Sequence, residues 1–286
     1  MQLTFLGTGA GEGYPGLWCR CPHCTYARKT GGKNIRGNSC AVIDGQLMLD
    51  IGPMGFLNAA RFQVDLTQAG MLLITHPHPD HLYPYHLHWR ITDDDALSLP
   101  FGEQMHRFGP RFTNVPELHI YGNACVEKAL STQLDDFSRM KASFTRIREG
   151  ETFTDNGYTV TPVRGNHHEP GFAHSYIIQK AGKTMMYALD SGIFDGDMLE
   201  LVGRYQYDLI VMEGTTGLNE QYGGHMCLEA NKKMAAFYRE HDCLKPGCRI
   251  LLSHMSPHWC PPHDWYETIV AQEGMELAYD GLTVEI

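Results

Sequence analysis

A short segment of the chain carries four side chains that can bind a metal ion: His76, His78, Asp80 and His81. The segment directly follows the apolar run Met71-Leu72-Leu73-Ile74, which predicts a buried strand that ends at the cluster. A loop at a strand end can turn all of these side chains toward one cavity. Imidazole and carboxylate groups are good ligands for zinc, manganese and iron, so segment 75–81 predicts a metal site.

The pattern His-x-His-x-Asp-His after an apolar strand, with histidine, aspartate and histidine recurring later at strand ends, resembles the metallo-β-lactamase superfamily. The resemblance implies a hydrolase in which seven side chains hold two metal ions. The first ion would be bound by His76, His78 and His167, and the second by Asp80, His81 and His254. Asp190 would bridge both ions. Two metal ions about 3.5–4 Å apart can share a water molecule, lower its pKa and stabilise the attacking and leaving oxygens. Zinc and manganese are the expected metals, with iron as a third candidate.

Each later candidate ligand follows an apolar, strand-like run: 160–163 before His167, 185–189 before Asp190, and 250–253 before His254. The third histidine of the first metal is the least constrained, because His168 adjoins His167 and His174 lies nearby. We predict His167.

Three thiols fall within six residues in the segment Cys19-Arg20-Cys21-Pro22-His23-Cys24. The spacing C-x-C-x2-C suits tetrahedral coordination, and structural zinc sites are closed by four cysteine or histidine ligands. Cys19, Cys21 and Cys24 therefore predict a structural zinc site that needs one more ligand.

The fourth ligand of this cysteine site is expected just beyond His254. The candidates are His258, Cys260 and His263, and we predict His258. A closed site would tie the N-terminal loop to the loop after the last active-site ligand and brace the metal centre from behind.

The cysteine triplet with a histidine just after the final metal ligand is similar to the superfamily's phosphodiesterase branch from the carbon-phosphorus lyase pathway. That branch hydrolyses a five-membered cyclic phosphate on ribose. The pyrroloquinoline quinone pathway branch also has an early C-x-C-x2-C segment, but the resemblance implies that it lacks the full ligand set kept here. This chain departs from the phosphodiesterase pattern, because His258 follows His254 by four residues instead of three and 92–116 looks inserted.

The segment Val211-Met212-Glu213-Gly214-Thr215-Thr216, followed by Gly224-His225-Met226, resembles the part of the phosphodiesterase branches that brings a histidine to the leaving group. A proton donor is useful there, because an alkoxide leaves poorly unless it is protonated or held by metal. The resemblance implies that His225 is catalytic, together with Asp80. Glu213 either orients the imidazole or simply ends a strand.

Many strands in hairpins, interrupted by a few helices, favour an α/β, four-layer αββα sandwich over an alternating parallel sheet. An Asp-Gly pair at 44–45 predicts a two-residue hairpin turn between apolar runs, and helices are expected at 123–138 and 228–240. The strand-like runs are 2–6, 41–50 as a hairpin, 71–74, 118–121, 159–163, 175–179, 184–188, 209–212, 249–252 and 283–286. We expect one domain over 1–286, with an inserted loop or lid at 92–116 that lacks periodicity.

Composition limits the partners of the protein. A formal charge of −10, from 23 basic and 33 acidic residues, disfavours nucleic acid, because such binding neutralises many phosphates. The chain contains no run of about 18 or more apolar residues, the length needed to span a bilayer, and the N-terminus does not resemble a signal peptide. We therefore expect a cytoplasmic protein with a small, phosphorylated substrate, and the sequence leaves open whether it forms a homodimer.

The leading hypothesis is a phosphodiesterase in which a metal-bridging hydroxide attacks phosphorus and His225 protonates the departing oxygen. The substrate would be a small phosphodiester, with a cyclic ribose phosphate as one candidate. A hydrolase of the same fold acting on a thioester, lactone or other carbonyl is the first alternative, since the same metal pair can attack carbon. A non-hydrolytic protein of cofactor biosynthesis, or a binding protein, is the alternative from another class.

Overall fold

The computed structural model describes residues 1–90, 100–104, 115–134, 137–220 and 224–286. In chain order the strands are β1 Gln2–Gly7, β2 Cys40–Ile43, β3 Leu47–Leu49, β4 Met71–Leu73, β5 Leu118–Gly122, β6 Ala142–Arg146, β7 Phe153–Asp155, β8 Tyr158–Arg164, β9 His174–Lys180, β10 Lys183–Ala188, β11 Tyr207–Glu213, β12 Leu244–Ser253, β13 Glu276–Leu277 and β14 Thr283–Glu285. The α-helices are α1 Pro22–Thr30, α2 Gly55–Arg61, α3 Phe101–Gln104, α4 Ala124–Gln133, α5 Gly196–Val202, α6 Leu228–Glu240 and α7 His263–Gln272. Short 3-10 helices cover Gly32–Asn34, Pro84–Arg90 and Ser138–Met140.

Within the described ranges the strands form two mixed sheets of seven strands each. The first sheet has the order β14-β1-β2-β3-β4-β5-β6, and the second has the order β13-β12-β11-β10-β9-β8-β7. Strands β3 to β6 are mutually parallel, as are β10 to β13. The remaining neighbours pair antiparallel.

Alternation of side chains along the buried strands defines the layers of the fold. Along and just after β4, Met71 and Leu73 belong to the core between the two sheets, whereas Leu72 and Ile74 pack with α2 and α4 on the outer face. A period of two with both faces buried is expected for a strand inside a layered structure. The outer face of the second sheet packs against α5, α6 and α7. The chain is therefore the predicted α/β sandwich with an αββα order of layers.

All strand-like runs predicted from the sequence are strands, and the helix predicted at 228–240 has these bounds. The helix predicted at 123–138 ends at Gln133, because Leu134 adopts extended backbone with φ −128° and ψ 120°. The predicted two-residue turn is wrong by one residue: Ile43 pairs with Leu47, which leaves a three-residue loop at 44–46. Strands β6, β7 and β13 escaped prediction, and each lies at the edge of its sheet.

The segment 92–116, predicted as an inserted loop or lid, lies mostly outside the described residues. Of this segment the structure describes 100–104, which contain α3, and 115–116. Among the described helices, none has the length and apolar character needed to cross a bilayer.

Candidate metal centre

The candidate ligands lie on loops that follow four strands, β4, β8, β10 and β12. Strands β10 and β12 run parallel through β11, and β8 runs in the same direction because two antiparallel pairings separate it from β10. The carboxyl ends of these strands therefore meet at one edge, where α/β folds commonly bind ligands. A hydrogen bond from the His174 amide to the Thr75 carbonyl, 2.8 Å long, links the two sheets there.

The first group of donors contains the side chains predicted for the first metal ion together with Asp190. The donor atoms of His76, His78, His167 and Asp190 all lie within 4.8 Å of one another. His76 Nε2 is 2.9 Å from His78 Nδ1 and 3.3 Å from Asp190 Oδ2, and His167 Nε2 is 3.5 Å from His78 Nδ1. His167 is buried and His168 is exposed, so the structure brings the predicted histidine of the pair to the group.

The second group contains the side chains predicted for the second metal ion, again with Asp190. The donor atoms of Asp80, His81, Asp190 and His254 also lie within 4.8 Å of one another. His254 Nε2 is 3.1 Å from His81 Nε2 and 3.2 Å from Asp80 Oδ2, and His81 Nε2 is 3.1 Å from Asp190 Oδ2. Asp190 is thus the residue that the two groups share.

The arrangement fits bound cations. Pairs of imidazole nitrogens face each other in both groups, an arrangement that a shared cation stabilises because each lone pair can donate to it. Asp190 Oδ1 is buried, and neither His225 Nδ1 at 3.2 Å nor His254 Nδ1 at 3.1 Å meets it with hydrogen-bond geometry. A buried carboxylate oxygen without a donor is costly unless it binds a cation.

A buried carboxylate that the sequence did not predict supports the second group. Asp50, directly after β3, has Oδ2 at 2.8 Å from His81 Nδ1. It also accepts hydrogen bonds from the amide (2.8 Å) and hydroxyl (2.9 Å) of Thr75. A carboxylate on one ring nitrogen fixes the other nitrogen toward the metal, which is how metal-binding histidines are commonly oriented.

Backbone conformation marks the same loops. Asp50, Asp190 and His254 have φ values of 58°, 46° and 61°, in the left-handed region that disfavours residues other than glycine. Each follows the last residue of a strand within two positions. Such local strain concentrates at functional sites, where the surrounding structure holds the side chain in place.

Burial and neighbouring charges set the protonation states. Burial lowers the pKa of His76 to about 4 and that of His167 to about 3, so both rings are neutral near pH 7. Burial would raise the pKa of Asp190, but the nearby His254 and His81 outweigh it and hold that pKa well below its ordinary value. Neutral imidazoles and ionised carboxylates are the forms that bind metal. Burial would lower the pKa of His81, but the carboxylates of Asp50, Asp80 and Asp190 outweigh it and raise that pKa. A cation bound at His81 Nε2 would therefore take the place of a proton.

His225 lies beside the shared aspartate. Its Nδ1 is 3.2 Å from Asp190 Oδ1 and 3.2 Å from Glu213 Oε2. Burial would lower the pKa of His225, but these two carboxylates outweigh it and raise the pKa to about 11. Glu213 is fully buried and also accepts a hydrogen bond from the Thr215 hydroxyl, so it is placed to orient the imidazole and does not merely end β11.

A cavity of about 430 Å³ opens onto both groups of donors. Its lining residues come from the loops that carry the candidate ligands and from the loops after β1 and β11: Ala10, Gly11, Glu12, His78, Asp80, His167, His168, Asp190, Thr215, Thr216, His225, His254, Ser256 and Trp259. This volume is in the range of sites for small molecules.

The three predicted thiols form a separate group near the start of α1. The Sγ atoms of Cys19, Cys21 and Cys24 lie within 4.8 Å of one another, and His258 Nδ1 is 3.9 Å from Cys19 Sγ. The amides of Cys21 and Cys24 point at the sulfurs of Cys19 and Cys21, each at 3.4 Å. These contacts stabilise thiolates, the form of cysteine that binds zinc.

The other two candidates for the fourth ligand face elsewhere. The buried Cys260 thiol points at the Gly214 carbonyl at 3.3 Å. His263 Nδ1 accepts a hydrogen bond from the Arg36 guanidinium at 2.8 Å, and its Nε2 is 3.1 Å from Glu267. Of the three candidates, His258 is therefore the one that approaches the thiols.

Removing one thiol should show whether this site binds its metal independently of the two groups of donors around Asp190. We expect Cys19→Ser to lose one equivalent of zinc per chain while the metal of the other site stays, and to lower Tm by on the order of 5 °C or more, because a structural metal stabilises only the folded state. Metal analysis by mass spectrometry and thermal unfolding measure both effects. Cys125→Ser, on α4 and outside the thiol group, is the matched control. Equal zinc content in the two variants would exclude a zinc site at Cys19.

Known proteins resemble this chain over its whole length. Similar solved structures include a diphosphatase from the PhnP family, at 21% identity, covering 100% of this chain and 96% of that chain with a TM-score of 0.72. Zinc-bound PqqB from Methylobacterium extorquens has 19% identity, 100% coverage of both chains and a TM-score of 0.70. The short form of human tRNase Z has 18% identity, covers 100% of this chain and 99% of its own, and has a TM-score of 0.61. These likenesses establish the fold.

A family model shows which family the chain belongs to, although no curated protein matches the chain. A family model described as a beta-lactamase superfamily domain matches residues 103–255, more than half of the 286 residues. The chain therefore belongs to the beta-lactamase superfamily and has the sandwich fold of its metal-dependent hydrolases.

Proposed function

We propose that this protein is a phosphodiesterase that holds two divalent metal ions and hydrolyses a small phosphodiester. The observation that carries the proposal is the position of Asp190, which belongs to both groups of donors and contacts His225. Zinc or manganese suits the imidazole and carboxylate donors, and a third, structural zinc would occupy the cysteine site. When bound, the two active-site ions would lower the pKa of a water molecule and offset charge on the reacting phosphate.

The assigned roles follow the two groups of donors. One ion would be held by His76, His78 and His167, the other by Asp80, His81 and His254, with Asp190 between them. Asp50 would orient His81 through the 2.8 Å contact to Nδ1. Removing such a supporting carboxylate commonly weakens metal binding by about 10–100-fold.

His225 is the proposed proton donor to the leaving oxygen. Its Nδ1 contacts Glu213 and faces Asp190 at 3.2 Å, and the ring lines the cavity, so Nε2 is the nitrogen left for the substrate. The two carboxylates keep the ring protonated, as a general acid must be before it acts. This arrangement favours a substrate whose leaving group is an alkoxide, as in a phosphodiester of a sugar.

A small substrate agrees with the cavity and with the charge of the chain. The cavity of about 430 Å³ can hold a nucleotide-sized molecule. A net charge of −10 gives little electrostatic attraction to a long polyanion, although one similar fold belongs to human tRNase Z. A second candidate function is hydrolysis of a diphosphate, because a similar fold belongs to a diphosphatase of the PhnP family.

A substrate panel distinguishes these functions. We expect the metal-loaded protein to hydrolyse bis(p-nitrophenyl) phosphate and adenosine 2′,3′-cyclic phosphate at least about tenfold faster than a nucleoside diphosphate, a lactone or a thioester. Chelator should abolish the activity, and added zinc or manganese should restore it. Faster turnover of the lactone or thioester would favour the carbonyl alternative. No turnover of any member, with metal bound, would favour a binding protein.

A further inference from the structure

Glu12 places a carboxylate at the catalytic cavity that the assigned chemistry does not use. It lies in the loop after β1 and is part of the cavity lining. The preceding residue, Gly11, sits so close to the catalytic groups that a Cβ placed on it would lie 3.8 Å from the Asp80 carboxylate. Glu12 therefore directly follows a residue whose backbone approaches the second group of donors.

Two contacts fix one oxygen of this carboxylate. Glu12 Oε1 accepts a hydrogen bond from the Ser256 hydroxyl at 3.1 Å and lies 3.5 Å from His258 Nε2. The other oxygen, Oε2, has no hydrogen-bond partner in the ranges that the structure describes, and the side chain is 38% exposed. One oxygen is thus anchored, and the other is available to a molecule in the cavity.

The anchor connects Glu12 to the cysteine site. His258 Nδ1 is the atom that approaches Cys19, and Nε2 faces Glu12. A carboxylate on the second nitrogen of a metal-binding histidine is a common supporting arrangement. The cysteine site would in this way hold the Glu12 carboxylate in position at the mouth of the cavity.

The described residues that line the cavity include neither lysine nor arginine, and the protonated ring assigned there, His225, directs its Nδ1 to Asp190 and Glu213. Arg164 lies in a neighbouring cavity of about 360 Å³, and its guanidinium is 2.8 Å from Asp197. A second phosphate beside Glu12 would therefore meet its carboxylate without a lysine or arginine of the described lining to offset the repulsion.

We propose that Glu12 determines specificity, by disfavouring substrates that carry a second phosphate and by accepting a hydrogen bond from a hydroxyl on the non-reacting part of the substrate. The substrate class is then a monoanionic phosphodiester of an otherwise uncharged polyol or nucleoside. This inference rests on the proposed phosphodiesterase, because the reacting phosphate must sit at the two groups of donors.

Binding of two matched ligands tests the role of Glu12 without requiring turnover. The probes are adenosine 3′-monophosphate and adenosine 3′,5′-bisphosphate, which differ by one distal phosphate, and their Kd values are measured by calorimetry on metal-loaded protein. We expect the wild type to bind the monophosphate at least about tenfold more tightly than the bisphosphate. Glu12→Gln keeps the size of the side chain but removes its charge, so the ratio of Kd values should fall by about tenfold.

The control makes the same chemical change at Glu285, on β14, far from the cavity lining. Glu285 pairs with Gln2 at the start of β1, so Glu285→Gln should leave the ratio unchanged. Equal ratios in Glu12→Gln and wild type, or no binding of either nucleotide to metal-loaded protein, would overturn the role of Glu12. Failure of the phosphodiesterase proposal appears separately, as absent hydrolysis of bis(p-nitrophenyl) phosphate, and the ratio of Kd values still decides on Glu12 in that case.

Discussion

Asp80→Ala should lower kcat/KM for bis(p-nitrophenyl) phosphate by at least about 1000-fold, a loss of roughly 4 kcal/mol of transition-state stabilisation. The Asp80 carboxylate lies 3.2 Å from His254 Nε2 and 3.5 Å from His81 Nε2, so its removal takes one donor from the second group. His78→Ala should have an effect of similar size, because its Nδ1 is 2.9 Å from His76 Nε2 in the first group. Each variant should also bind about one metal ion fewer.

The metal content separates loss of a ligand from loss of the fold. His241→Ala is the control, because His241 is an exposed histidine just after α6 that contacts Phe237 and lies outside both groups. It should keep full activity and metal. Full activity in either Asp80→Ala or His78→Ala would refute the assignment of these residues to the catalytic metals.

His225→Asn should reveal a proton donor through its dependence on the leaving group. With adenosine 2′,3′-cyclic phosphate, which releases an alkoxide, we expect kcat to fall by about 100- to 10,000-fold. With bis(p-nitrophenyl) phosphate the loss should be about tenfold or less, because a stabilised phenolate leaves without protonation. Metal content should stay unchanged. The two substrates thus serve as internal controls for each other.

Glu213→Gln tests the positioning of the same histidine. Glu213 Oε2 is 3.2 Å from His225 Nδ1, and its charge contributes to the raised pKa of the ring. Neutralising Glu213 should therefore lower the pKa of His225 and shift the alkaline limb of the pH–rate profile to lower pH.

Equal losses for both substrates in His225→Asn would contradict a role in leaving-group protonation and indicate a metal ligand or structural residue instead.

The fold was largely predictable because its central strands are short apolar runs. Strands such as β4 and β11 are buried on both faces, which leaves a continuous hydrophobic signal in the sequence. The edge strand β6, with the sequence ASFTR, is polar and half-exposed, so periodicity gives little indication of it. Helix α5 escaped prediction because its seven residues are too few for a clear 3.6-residue period.

The candidate site was predictable where candidate ligands cluster in sequence or follow apolar strands. His76 to His81 meet both conditions, and His254 follows β12 directly. Asp50 was missed because an aspartate after a short strand resembles any polar residue at a turn, and its role depends on the 2.8 Å contact with His81, 31 residues away. Glu12 was missed for the same reason, since its partners Ser256 and His258 come from the opposite end of the chain.

The central claim is that Asp190 joins two metal ions in one catalytic centre. Anomalous X-ray scattering from crystals grown with zinc or manganese tests it most directly. We predict two peaks about 3.5–4 Å apart, one among His76, His78 and His167 and the other among Asp80, His81 and His254, with Asp190 in contact with both. No peak at His76 or Asp80 from protein purified with metal, or a single ion that does not contact Asp190, would contradict the claim.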